Sequence, residues 1–276
     1  MNVTCVVDNT VQRRSQFWGE HGVAFLIETE AGRVLFDTGQ SGTVLLHNLE
    51  VLGVDPATLD ALAISHAHYD HTGGLAALLE QVRPGLPLYA SPDLFRERFS
   101  QREEQLQSIG LSLTREDLDA RLALKLSAGS QEILPGIWTT GEIRSRLEPE
   151  GRSACHWMRE GEALVPDSYR DDMALVLEMD GRLMVLCGCC HAGLLNTLAH
   201  VQRTFECPIV TIAGGLHLTG ATGDHLKRVG EVLVEMESVQ RMHPNHCTGE
   251  VAFVALTLAL GPAMVNPCPV GTVIGF

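Results

Sequence analysis

The chain has 276 residues, 45% of them hydrophobic, with 34 acidic residues against 20 basic ones and a formal net charge of −14. That length allows one large domain or two small ones, with ample apolar material for a core. The acidic balance excludes a general nucleic-acid-binding surface and leaves the capture of an anionic substrate to a local basic patch or to a metal.

Residues 3–7 read as a first strand, and the apolar arms 22–28 and 33–36 about Glu30-Ala31-Gly32 predict a hairpin. Asp37-Thr38-Gly39 ends its second arm. A helix over 42–52, a buried strand over 61–64, a short helix over 74–81 and a strand over 86–90 follow. Residues 91–126 differ in character. Asp93-Leu94-Phe95-Arg96-Glu97-Arg98-Phe99 opens a charged, amphipathic stretch with helical spacing. We expect a helical, cap-like insertion there, either a solvated surface helix or a cover over a site.

Strand-and-turn character returns at 138–143. Residues 173–178 and 183–186 form two arms about Asp180-Gly181, a strong hairpin dipeptide. Residues 192–203 are helical, and a strand over 208–213 ends in Gly214-Gly215-Leu216-His217. A helix over 224–236 precedes 239–242, which lead into His243-Pro244-Asn245-His246. Residues 248–260 are helical and 270–274 close the chain. Strands alternating with helices in both halves predict α/β layers with helices outside. No linker divides the chain and no short repeat recurs, so we expect one domain over 1–276. No apolar run is long enough for a membrane span, and Met1 to Asp8 lack a basic start with a long apolar core, so a soluble, cytoplasmic chain is expected. In that setting the eight cysteines are reduced thiols.

The chemistry concentrates in His66-Ala67-His68-Tyr69-Asp70-His71, four possible ligands in six residues after the apolar run Ala61-Leu62-Ala63-Ile64. Imidazole and carboxylate suit zinc, iron or manganese, and a set without cysteine fits a metal that keeps an open position for water. His191, His217 and His246 lie at further strand ends, where loops from neighbouring strands converge. His47, His156, His200 and His225 fall in helical or charged contexts and read as surface or packing residues. His243 reads as structural, and His21 fits either class. Cys189 is either a thiolate ligand or a small buried residue.

His66-Ala67-His68-Tyr69-Asp70-His71 has the HxHxDH form, and with Leu35-Phe36-Asp37-Thr38-Gly39 it resembles the metallo-β-lactamase-fold superfamily. Glu20-His21-Gly22, Thr140-Gly141-Glu142-Ile143, Gly188-Cys189-Cys190-His191-Ala192-Gly193, Gly214-Gly215-Leu216-His217-Leu218 and His246-Cys247-Thr248-Gly249 are similar to its dihydropterin–ribofuranosylaminobenzene phosphate synthase-like subgroup. The resemblance implies an αββα sandwich of two mixed sheets with helices outside. It implies two divalent ions, zinc first, with manganese or iron as alternatives. His66, His68 and His191 would hold one ion, and Asp70, His71 and His246 the other. Asp37 would support the metal loop without touching an ion.

The chain departs from the superfamily where many members end a strand in Gly-Asp and share the Asp between two ions. Here the strand end is Gly188-Cys189, and no His lies between His156 and His191. Asp171 or Asp172 could substitute for the missing ligand. The expected chemistry is attack by a metal-bound hydroxide on a small phosphorylated, ester or pterin-like substrate. Asp70 would orient the nucleophile or carry its proton. His217 would act as a substrate-facing acid or phosphate contact, and Thr248 and Gly249 would receive an anion at a helix start. The alternatives are a di-iron redox enzyme and a non-catalytic metal-binding regulator. The expected partner is a small molecule, without a membrane, and an oligomer is compatible with the sequence.

Overall fold

In the computed structural model, which describes residues 1–276, the chain begins with β1 (Asn2–Val7), β2 (Ala24–Thr29), β3 (Gly32–Phe36), α1 (Gly42–Val51), β4 (Ala61–Ala63), α2 (Tyr69–Thr72), α3 (Leu75–Leu79) and β5 (Leu86–Ala90). It continues through β6 (Arg98–Arg102), β7 (Gln105–Ser108), α4 (Arg115–Asp119), β8 (Leu122–Leu126), β9 (Glu132–Leu134), β10 (Ile137–Thr139), β11 (His156–Glu160) and β12 (Ala163–Pro166). The last part runs β13 (Ala174–Met179), β14 (Arg182–Cys187), α5 (Leu194–Thr204), β15 (Ile209–Gly215), α6 (Gly223–Glu235), β16 (Arg241–Asn245), α7 (Glu250–Leu260) and β17 (Val273–Gly275).

One sheet has seven strands in the order β17-β1-β2-β3-β4-β5-β8, and a second has six in the order β16-β15-β14-β13-β10-β9. Both are mixed. Strands β3, β4, β5 and β8 pair in parallel, as do β14, β15 and β16, while β17-β1-β2-β3 and β14-β13-β10-β9 pair antiparallel. The period-2 alternation of side chains explains how the layers stack. In β2, Phe25 and Ile27 face the core shared with the second sheet, whereas Ala24 and Leu26 face the outer core beneath α1 and α3. In β13, Leu175 and Leu177 enter the shared core, and Ala174 and Val176 pack outward with residues of α5, α6 and α7. Strands apolar on both faces must be covered on both, and the result is the expected αββα sandwich. None of its helices is long and apolar enough to cross a membrane.

The helical expectation for 91–126 is corrected. Pro92–Phe95 is a single 3-10 turn capped by Ser91, and β6 and β7 then form an antiparallel hairpin. Helix is confined to α4, where Thr114 and Asp117 make a reciprocal cap. The hairpin joins β11 and β12 in a separate four-stranded antiparallel sheet. The pairing of β6 with β11 aligns Phe99 with Trp157, and no local periodicity reports such a distant partner. Arg98, inside the stretch read as amphipathic, is fully buried. Its Nε lies 3.1 Å from Asp167 and its Nη2 lies 2.7 Å from Asp171.

Candidate metal centre

The carboxyl ends of the parallel strands carry the ligand candidates. His66 to His71 follow β4, His191 follows β14, His217 follows β15 and His246 follows β16. Strand order brings these four loops to one edge of the sandwich, where side chains from both sheets meet. Several non-glycine residues there take the left-handed backbone conformation, including Asp37 at φ 61, Cys190 at φ 60, His217 at φ 45 and His246 at φ 47. Such residues persist only where the surrounding structure enforces them, and they concentrate at functional sites.

The loops are held by buried carboxylates. Asp37 accepts the Ser65 backbone N–H at 2.7 Å, Asp171 that of Ala67 at 2.8 Å, Asp172 that of Ala192 at 2.8 Å and Asp8 that of His246 at 2.8 Å. Asp171 and Asp172 therefore brace the loops, and neither joins the groups of His, Cys and Asp donors placed to hold metal. Asp37 also accepts from His71 Nδ1 at 2.7 Å and from Ser65 Oγ at 2.7 Å.

The same network assigns the imidazole tautomers. Because the Ser65 hydroxyl donates to Asp37, its oxygen receives the His66 Nδ1 proton at 2.9 Å. His191 Nδ1 donates to the Gly151 carbonyl at 2.8 Å, and His246 Nδ1 donates to Asn9 Oδ1 at 3.0 Å. Each arrangement turns a bare Nε2 lone pair inward, as outer hydrogen bonds do for metal-binding histidines. The Nε2 atoms of His66, His68, His191 and His246 are buried without a hydrogen-bond partner. Buried polar atoms are ordinarily satisfied, so four orphaned nitrogens at one edge fit a cation well.

The rings of His66, His68 and His191 form a triangle with centroids 4.6 to 4.9 Å apart. On the other side, Asp70 Oδ2 lies 3.3 Å from His246 Nε2 and 3.7 Å from His71 Nε2. All six ligand candidates are thus brought together. Burial drives His66, His68 and His191 well below the usual histidine pKa, keeping them in the neutral, ligand-competent form. Burial also opposes charge on His71, but Asp37 and Asp70 outweigh it and raise that pKa to about 9. Burial works against the Asp70 carboxylate too, yet His71, His21 and His246 hold it well below the usual range.

The cluster opens into a cavity of about 360 Å³. His217 lines it with its ring centroid 4.2 Å from that of His191. Burial, with His246 and His156 nearby, lowers its pKa to about 4. His21 joins the site, its Nε2 3.2 Å from Asp70 Oδ2. His156 also lines the cavity, which corrects its reading as a surface or packing residue. Its Nδ1 lies 2.9 Å from the hydroxyl of Tyr169, which stacks on His191. Ser100, Arg102 and Gln107 of the β6–β7 hairpin form another wall. The motif containing His21 was visible in the sequence, whereas His156 and the hairpin residues reach the site only through distant strand pairing.

The remaining candidates lie elsewhere. His47 stacks on Trp18, His200 faces the Thr140 carbonyl, and neither they nor His225 and His243 line the cavity. Thr248 and Gly249 do not line it either. Thr248 Oγ1 accepts the Leu216 N–H at 3.2 Å, and both residues border a neighbouring cavity that includes Asp8 and Glu250, a poor setting for an anion.

An αββα sandwich with HxHxDH at the carboxyl edge of its strands is the metallo-β-lactamase fold, and this chain is a metallo-β-lactamase-fold protein with His, Cys and Asp groups placed to hold metal. The family model for the metallo-beta-lactamase superfamily matches residues 18–142. Within that fold, the chain is 28% identical over 247 residues to the 7,8-dihydropterin-6-methyl-4-(beta-D-ribofuranosyl)-aminobenzene-5'-phosphate synthase of Methanocaldococcus jannaschii, covering 85% of this chain and 83% of that protein. It superposes with TM-score 0.85 and 26% identity on the crystal structure of Tm1679, a metal-dependent hydrolase of the beta-lactamase superfamily, over 100% of this chain and 99% of that one. Zn(2+)-bound PqqB from Methylobacterium extorquens shares the fold at TM-score 0.59 and 11% identity, over 100% of both chains.

Proposed function

We propose that this protein is a metal-dependent hydrolase acting on a small phosphorylated, ester or pterin-like substrate at a centre for two divalent ions. The observation that carries the reading is the set of four buried, unpartnered Nε2 atoms whose opposite ring nitrogens are mostly fixed by acceptors. His66, His68 and His191 would hold one ion, with Asp70, His71 and His246 on the other. The hydrolase chemistry of the structural relative supports the reaction class, and the phosphate in the name of the archaeal synthase supports the substrate class. When bound, the ions supply Lewis acidity that makes water nucleophilic near neutral pH and polarises the substrate oxygen.

The protein's own groups do the rest. Asp70, facing His21 and His246 through one oxygen, orients the attacking water. His217 and His156 offer neutral imidazoles to the substrate from the cavity wall. Arg102 is the cavity's guanidinium and pairs with an anionic group on the substrate.

The test is metal analysis of protein purified without added metal, alongside turnover of generic phosphodiester, phosphomonoester and lactone substrates with and without chelator. About two zinc ions per chain with chelator-sensitive turnover is the expected result. Asp70→Ala, with folding checked by circular dichroism, is expected to lower kcat by about 10²-fold or more. Unchanged kcat in that variant overturns the mechanism, and iron with a visible absorption band would move the chemistry to redox.

A further inference from the structure

Between the two ligand groups stands a side chain that neither group includes. Cys189 follows β14 through Gly188, where a Cβ would collide with Ser65 Oγ, so only glycine lets this strand end lie against the loop that carries His66. The Cys189 thiol is buried, 3% exposed, and its Sγ is 3.2 Å from His71 Nε2. Ligand atoms of His66, Cys189 and His191 all lie within 4.8 Å of one another, and so do those of His71, Cys189 and His246. One sulfur therefore completes a three-donor face on each side. The second, independent observation is that the Nε2 atoms of His66, His191 and His246 in those two groups are buried and unpartnered.

Resting on the reading that two ions bind here, we propose that the Cys189 thiolate is a ligand shared by both ions. It occupies the place between them where the sequence lacks an aspartate. A cation with nitrogen at about 2.0–2.1 Å and sulfur at about 2.3 Å sets its donors roughly 3.5 Å apart in a tetrahedron, close to the His71–Cys189 separation. Cys247 is the rival thiol, since it too lines the cavity. Its sulfur is engaged with backbone groups, accepting the His217 N–H at 3.3 Å and facing the Cys189 carbonyl at 3.6 Å. A shared thiolate is softer than a carboxylate, so this centre selects zinc, cobalt or ferrous iron over magnesium or manganese.

The experiment is a cobalt(II) titration of the metal-stripped full chain, read by absorption. A thiolate bound to cobalt gives a ligand-to-metal charge-transfer band in the near ultraviolet. The expected band grows across both equivalents, about twofold from the first to the second, because one sulfur contacts both ions. It disappears in Cys189→Ser and in Cys189→Asp while two ions still bind, and it survives in Cys247→Ser. The Asp variant restores the carboxylate and guards against a Ser variant that fails to fold.

A wild-type protein with two cobalt ions and no such band overturns the proposal. So does a band that persists in Cys189→Asp, or one that is complete at the first equivalent. The hydrolase reading fails separately. Protein that shows the band but turns over no substrate keeps the shared thiolate and loses the reaction, whereas turnover without the band does the opposite.

Discussion

Asp37 shows how one residue far from any ligand role governs the centre. Its two oxygens receive the Ser65 N–H, the Ser65 hydroxyl and the His71 Nδ1 proton, all at 2.7 Å. One carboxylate thereby orients His71 directly and His66 through Ser65. Truncating such a partner frees the ring to rotate and lowers its basicity, which typically costs 10–100-fold in metal affinity. Asp37→Ala is expected to weaken binding by about that factor, measured by competition with a chromophoric chelator. Wild-type affinity in that variant would remove Asp37 from the centre. The resemblance carried by Leu35-Phe36-Asp37-Thr38-Gly39 pointed to this role, and the Asp37→Ala measurement tests it. Cys189 was readable as a thiolate ligand or a small buried residue without a choice between them, because its neighbours His71 and Cys247 are 118 and 58 residues away.

At the scale of elements, the β6–β7 hairpin is the part that periodicity misreads, and Arg98 explains why. The pattern Asp93 to Phe99 has helical spacing, but its central charge is buried between Asp167 and Asp171, residues supplied from far along the chain. The Ile109 carbonyl beyond the hairpin receives the Tyr69 N–H at 2.9 Å, and Asp171 holds Ala67 with its other oxygen. The hairpin is thus tied to the metal loop at two points. Removing one member of a buried ion pair strands the other and costs about 3–5 kcal/mol. Arg98→Met is expected to lose that much stability in urea unfolding. Arg159→Ala, which breaks a surface pair with Glu97, is expected to change it by about 1 kcal/mol or less. Equal losses in the two variants would mean that the hairpin is an appendage and not a brace.

Across the whole molecule, layer order was legible because strands apolar on both faces alternate with helices apolar on one. That pattern predicts α/β layers with helices outside, and two sheets sharing a core followed only from the resemblance carried by the HxHxDH motif. Which loops meet was legible for the histidines at strand ends and through the resemblance, but not for His156 and the β6–β7 hairpin, whose place depends on a distant strand pairing that leaves no local trace. The meeting point has a thermodynamic consequence. His66, His68, Asp70 and His71 come from the edge of the seven-stranded sheet, while His191 and His246 come from the six-stranded one. Ions held as proposed would therefore cross-link the two halves of the sandwich. The central core of Phe25, Ile27, Phe36, Leu175, Leu177 and Leu186 joins the same sheets without metal, so the stripped protein remains folded. A ligand that binds only the folded state at about 1,000 times its Kd adds about 4 kcal/mol. For a chain of this size that amounts to about 10 °C in Tm. Chelator-stripped protein is expected to keep its far-ultraviolet circular dichroism and to melt about 10 °C lower, with zinc restoring the loss. A Tm indifferent to chelator would mean that the ions do not bridge the sheets. A stripped protein without secondary structure would mean that the apolar core is not sufficient to join them.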